Sequence, residues 1–162
     1  MILVIFEGLI ASFIALISCV VGKANGAYNM AFFYDEEIQK RVAENGLISK
    51  EQINANSKKY TLFGIIPFFI LTILAVYGIN GARGFWDPFI QICVIFLMEG
   101  IFDRLFIDWY WVNHTKAWDI PGTEDLKPYI QKKHWIAKWT MTLIGYPIMA
   151  AILAFVLSLV IK

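Results

Sequence analysis

The sequence predicts an all-α integral membrane protein with four transmembrane helices, a helical cytoplasmic connection and both termini outside. Three observations carry that reading. First, 59% of the 162 residues are apolar and 17% charged, where a soluble domain has about 45–50% and 25%, and the mean hydropathy is +0.60. Second, four stretches reach the roughly 20 apolar residues that a helix needs to cross a hydrocarbon core. Third, lysine and arginine crowd two of the three connections between them. Disorder is excluded, because 16% of the chain is aromatic and chains stay unfolded through low hydrophobicity. A formal charge of +1 supplies no basic face for nucleic acid.

The chain reads as a single membrane domain over 1–162, with helices at about 2–21, 61–79, 85–107 and 139–161. The first carries one charge, Glu7. Leu16-Ile17-Ser18-Cys19 has the form of a lipoprotein cleavage box that would lipidate Cys19. The missing basic n-region and an apolar run longer than about 15 residues predict a retained helix instead. The connection 22–60 is structured: Asp35-Glu36-Glu37 opens a helix, Lys40-Arg41 lies toward its end and Gly46 stops it, matching the macrodipole. Ser49-x-x-Gln52 is a capping box whose helix runs through Lys58-Lys59 into the second span.

The second and fourth spans contain no charge. The third is interrupted by Glu99, Asp103 and Arg104, and the run 89–98 is too short to cross alone. Asp87-Pro88 starts a helix, and Ile101, Phe102, Leu105, Phe106 and Ile107 continue the apolar pattern between the charges, so the segment reads as spanning. In the connection 108–138, Asp119-Ile120-Pro121-Gly122 reads as a turn. Pro128 is placed at the first position of a basic amphipathic helix over 129–138.

Orientation follows from charge. One side holds Lys23, Lys40, Arg41, Lys50, Lys58 and Lys59, together with Lys116, Lys127, Lys132, Lys133 and Lys138; the other holds Arg83 and Lys162. Both long connections are therefore expected to be cytoplasmic, in the plasma (inner) membrane of a prokaryote, with their lysines as positive-inside anchors. Trp109, Trp111, Trp118, Trp135 and Trp139 fall at that interface and Trp86 at the outer one. Cys19 and Cys93 lie in apolar runs without metal or redox spacing and read as buried thiols. Lys59-Tyr60-Thr61 with Gly64 and Pro67 resembles Lys138-Trp139-Thr140 with Gly145 and Pro147, the pattern of two hairpins related by an axis along the membrane normal.

Ionisable residues at membrane depth carry the functional signal, since each costs about 2.5–3.5 kcal/mol at the centre of a bilayer. At 100° per residue Asp103 lies about 40° from Glu99, while Arg104 and Asp108 lie about 140° and 180° away and pair as i, i+4. Tyr110 and His114 return toward the Glu99 face. Glu99 sits about 13 Å and Asp103 about 7 Å from the inner end of the helix. Positions 12–16, 66–70 and 145–148 share that layer, and Pro67 and Pro147 there each free a backbone carbonyl. Glu7 differs in depth from Glu99 by about 12 Å and belongs elsewhere.

The leading expectation is a homo-oligomer in the lipid bilayer that binds or transports a cation, a proton or a cationic small molecule. Glu99 and Asp103 form the site, Arg104 and Asp108 a gate pair, and Tyr146 a hydrogen-bonding neighbour. The first alternative is an enzyme acting on a lipid-like substrate at the cytoplasmic interface, with Tyr110, His114 and Trp118 around the headgroup and Asp103, Asp108 or His114 as acid or base. The second is a non-catalytic accessory subunit whose charges hold a partner helix. His114 and His134 lack ligand spacing, and no phosphate cradle, nucleophile elbow, HExxH or EF-hand sequence is present, so no metal or cofactor class is indicated.

Overall fold

The computed structural model describes residues 1–161; Lys162, counted above on the outer side, lies outside the described residues. The described chain is helical, with 3-10 turns in its connections. Helix α1 is Ile2–Lys23, α2 Glu36–Glu44 and α3 Lys50–Ile79. Helix α4 covers 86–112 as an α-helical part, Trp86–Phe102, continued by a π-helical part, Asp103–Val112. Helix α5 is Lys132–Ser158. Three of them, α1, α3 and α5, are long and apolar enough to cross a membrane. Helix α4 is of similar length but carries Asp87, Glu99, Asp103, Arg104 and Asp108.

Helix α4 is the axis of the bundle. Its main neighbours are α1 and α5, with the end of α3 beside it. Between Pro88 and Phe102 only Ile90 and Ile101 are exposed. The other three helices turn apolar stripes outward, among them Phe6, Phe13 and Ile17 on α1, Leu62, Phe63 and Ile70 on α3, and Ile144, Ile148 and Phe155 on α5. In water such surface would drive association; against lipid tails it is matched by its solvent. The enclosure expected of a second copy is thus largely supplied by one chain.

With no hydrophobic drive between helices in lipid, close approach rests on small residues. Gly8, Ala11 and Ser12 are buried on α1, and a Cβ on Gly8 would stand 2.7 Å from the sulfur of Met98. Ala150 and Ala154 are fully covered on α5. At the end of the bundle away from the two long connections, Asn80 donates to Glu7 Oε2 and to Gln91 Oε1, both at 2.9 Å. Glu7 is therefore held away from the inner cluster, as its depth predicts.

Both proline-containing spans widen just before the proline. A proline has no N–H, and its ring crowds the carbonyl four residues back, so an α-turn cannot be continued there without a defect. Thr61–Ile65 and Met141–Gly145 are π-helical, closed by Ile66 N–H to Thr61 O and Tyr146 N–H to Met141 O, the i→i+5 pattern that absorbs an extra residue. Pro67 and Pro147 then take the second position of the following α-helical turn. The π segments pair Thr61 with Met141. The sequence likeness pairs Thr61 with Thr140, one residue out of register, so local structure and sequence do not describe the same repeat.

The two long connections pack on each other at one end of the bundle, as their shared charge predicts. Ala31, Ile38, Val42, Ile53, Trp118, Ile120 and Tyr129 form the core of this cap. Arg41 reaches Asp125 at 3.1 Å, and Lys23 donates to the Ala117 carbonyl at 2.6 Å. The Tyr129 hydroxyl accepts the Ile120 N–H at 3.0 Å and bonds Thr123 at 2.9 Å. The capping box is present: Gln52 N–H donates to Ser49 Oγ at 3.2 Å and Ser49 N–H to Gln52 Oε1 at 3.0 Å. Two details depart from the sequence reading. Helix α5 begins at Lys132, because Tyr129 and Ile130 are buried in the cap and their backbone serves that packing. Trp118 is 2% exposed, a cap core residue and not a headgroup anchor.

Candidate functional site

Below the cap, the cap-side halves of the four long helices surround a cavity of about 400 Å³, within the range of small-molecule sites. Ser18 and Cys19 on α1, Tyr60, Gly64 and Phe68 on α3, Phe96 and Glu99 on α4, and Lys138, Thr142 and Tyr146 on α5 all face it. Phe33, Tyr34, Trp118 and Ile130 close it from the cap. Of the positions that the sequence places in one layer, Ile14, Ala15, Phe68, Phe69 and Tyr146 line it together with Glu99 and Asp103.

Local structure explains how four charged residues of α4 reach one space. An ideal α-helix puts Asp108 opposite Glu99. The π turns over Asp103–Val112 are wider, so each residue advances less around the axis. Glu99, Asp103, Arg104 and Asp108 consequently all line the cavity. Gly100 makes room for helix α5, since a Cβ there would stand 2.7 Å from the Tyr146 ring and 2.8 Å from Thr142 Cγ2. That approach places the Tyr146 hydroxyl toward the Glu99 carboxylate.

The charges are divided unequally. Arg104, 8% exposed at its side chain, pairs with Asp103 and with Asp108. Lys138 Nζ donates to both oxygens of Asp108, at 2.8 and 2.9 Å. A buried ion pair has to be satisfied in this way, because removing either partner strands a desolvated charge. Glu99 has no cation within ion-pair distance among the described residues. Arg104 and Lys138 engage Asp103 and Asp108, which leaves Glu99 as the acid of the cavity wall without a cation partner.

Of the residues singled out from sequence, Glu99, Asp103, Arg104, Asp108, Tyr146 and Trp118 are brought together here. Tyr110 and His114 are not. Tyr110 is 50% exposed and packs at a tilt against Phe106, and His114 is exposed with its Nδ1 on the Trp109 carbonyl. The sequence reads Lys138 as an anchor, and its contact with Asp108 is visible only in the structure. Tyr34 and Tyr60 carried no sequence signal, because nothing in a local pattern reports which aromatic residue a tertiary cavity selects. Burial, and next the neighbouring Tyr129, hold the Tyr34 phenol well above its usual range, so it stays protonated and able to donate.

No family model, no curated protein and no solved structure matches this chain.

Proposed function

We propose that the chain is a four-span protein of a cell membrane, with its cap in the cytoplasm and both termini outside, that binds and transports a cationic small molecule at Glu99. The observation behind this is the unpaired Glu99 carboxylate in a cavity far larger than an ion. Low surrounding polarity strengthens its attraction for a positive ligand. The aromatic wall of Tyr60, Phe68, Phe96 and Tyr146 offers ring faces that suit an organic ammonium. Asp103 and Asp108 are already engaged by Arg104 and Lys138, so neither is free to help Glu99 replace the water shell of a metal ion.

Arg104, Asp108 and Lys138 lie between Glu99 and the cap and serve as the gate, joining α4 to α5 when paired. One chain forms the whole cavity, so binding needs no second copy, although assembly into a homo-oligomer is compatible with it. An interfacial enzyme receives less support, since His114 is turned away and the two aspartates are neutralised by ion pairs.

The test is thermal stabilisation of the protein in lipid nanodiscs by a panel of amines, tetramethylammonium and ethanolamine included. Saturation at about 100 times Kd adds about 2.7 kcal/mol to the folded state. The expected result is a concentration-dependent rise in Tm that Glu99→Gln abolishes while remaining folded. Equal stabilisation of wild type and Glu99→Gln would contradict the proposal.

A further inference from the structure

A cavity within a membrane protein is entered either from water or from lipid, and the packing of this chain closes the way through the cap. Tyr34, Trp118 and Ile130, which line the cavity at its cap end, are 6%, 2% and 6% exposed and belong to the core of the cap. Beneath them Arg104, Asp108 and Lys138 are paired and tie α4 to α5. The side walls are looser. Helix α3 is held chiefly at its ends, by Lys50–Tyr60 on the turns of Ala27–Phe33 and by Leu74–Ile79 on α4. Between them Thr61–Ile65 has no buried residue, and α3 does not pack along α1 or α5 as α4 does. An opening therefore flanks α3 on each side.

The two openings differ in charge. Toward α1 a second cavity of about 430 Å³ shares Ser18, Tyr60 and Gly64 with the first. Lys59 lines it and has no acid within ion-pair distance among the described residues, so its ammonium repels a cation there. Toward α5 the rim is formed by Ile65 and Met141, which line the first cavity and are 42% and 47% exposed. Their segments, Thr61–Ile65 and Met141–Gly145, contain no charge and expose Leu62, Phe63, Leu143 and Ile144. In a bilayer this second gap opens onto acyl chains. The interior matches it. Phe96 and Glu99 stand one turn apart on the same face of α4, about 5–6 Å between their Cβ atoms. Phe96 in turn meets Phe68 and Phe69, with ring centroids 5.3 Å away. The unpaired carboxylate thus adjoins a hydrocarbon wall.

From these observations we infer that the ligand is a hydrophobic cation, an ammonium carried on an alkyl chain, which passes between the bilayer and the cavity through the gap between α3 and α5. The ammonium pairs with Glu99. The first methylenes lie against Phe96 and Phe68, and the rest of the chain extends past Ile65 and Met141 into lipid. This rests on the reading of Glu99 as the cation site and adds the ligand's chemical class and its route.

The probes are butyltrimethylammonium and decyltrimethylammonium, kept below micellar concentration. Binding to the full chain in phosphatidylcholine nanodiscs is read as Tm at equilibrium and as stopped-flow tryptophan fluorescence for rates, with the signal of Glu99→Gln subtracted. Referred to concentration in water, the decyl compound should bind at least about a hundredfold more tightly, since each methylene kept out of water is worth about fourfold. Ile65→Trp and Met141→Trp add bulk at the rim. Each should slow association and dissociation of the decyl compound alike, about fivefold or more, and leave their ratio, Kd, within about threefold. Ile152→Trp, on an exposed part of α5 away from the cavity wall, should leave the rates unchanged. A decyl compound bound no more tightly than the butyl one, both with dependence on Glu99, overturns the lipid-borne class and keeps the cation site. Rates unaffected by both rim substitutions, or slowed as much by Ile152→Trp, overturn the route. Equal binding of decyltrimethylammonium by Glu99→Gln and wild type removes the cation site and the inference with it.

Discussion

Single side chains decide the site through two kinds of constraint, space and charge. Gly100 represents the first: an added methyl group meets Tyr146 and Thr142 inside 3 Å, and overpacking of a tight contact typically costs about 1–3 kcal/mol. Gly100→Ala is expected to lower Tm and to weaken ligand binding together, because Tyr146 must move away from Glu99. Unchanged binding in that variant would show that the position of Tyr146 is immaterial. Charge is represented by Arg104. Arg104→Met strands Asp103, leaves Asp108 to Lys138 alone, and should destabilise the protein by about 3 kcal/mol, the cost of breaking a buried pair from one side. Adding Asp103→Asn to Arg104→Met should recover part of that loss in a chemical unfolding measurement. A carboxylate such as Glu99 within an apolar run is legible because its cost at that depth demands a reason. Lys138 was not, since a lysine ahead of a membrane helix has the same local pattern whether it touches a headgroup or an aspartate.

Helices behave here as their terminal and breaking residues dictate. The capping box at Ser49 was legible to the residue, because both of its hydrogen bonds are local in sequence. Ser49→Ala should cost about 1 kcal/mol, measured as a loss of Tm without loss of ligand binding. The π segments were legible only in their cause. A proline announces a break in the ladder, yet whether the break becomes a kink, a free carbonyl or a π turn depends on what the neighbouring helices accept. Pro147→Ala is expected to let Met141–Gly145 relax toward α-helical winding and rotate Met141 and Thr142 relative to the cavity. Ligand affinity should then fall while stability is kept or improved, since proline inside a helix is itself costly. Reduced Tm with undiminished affinity would contradict the assignment. The winding of 103–112 escaped the sequence reading for the same reason, and it is what brings Asp108 into one space with Glu99.

At the level of the whole molecule, the membrane class, the helix positions and the placement of both long connections at one end were legible, because they follow from length, hydropathy and charge counts. The cap was not. It joins Tyr34 to Tyr129 in its core and Arg41 to Asp125 on its surface across more than 80 residues, and no periodicity encodes such pairs. Three helices have the composition of membrane spans, while the fourth, α4, is the most charged and the least exposed of the set. The proposed site requires α4 to cross the bilayer with Glu99 turned inward. That is most directly tested by labelling single cysteines at Gly84 and Lys116, the two sides of α4, in a background with Cys19 and Cys93 replaced by alanine. A membrane-impermeant maleimide applied to intact cells should modify Gly84→Cys at once and Lys116→Cys only after permeabilisation. Modification of both positions from the same side would show that α4 does not cross and would contradict the proposed site.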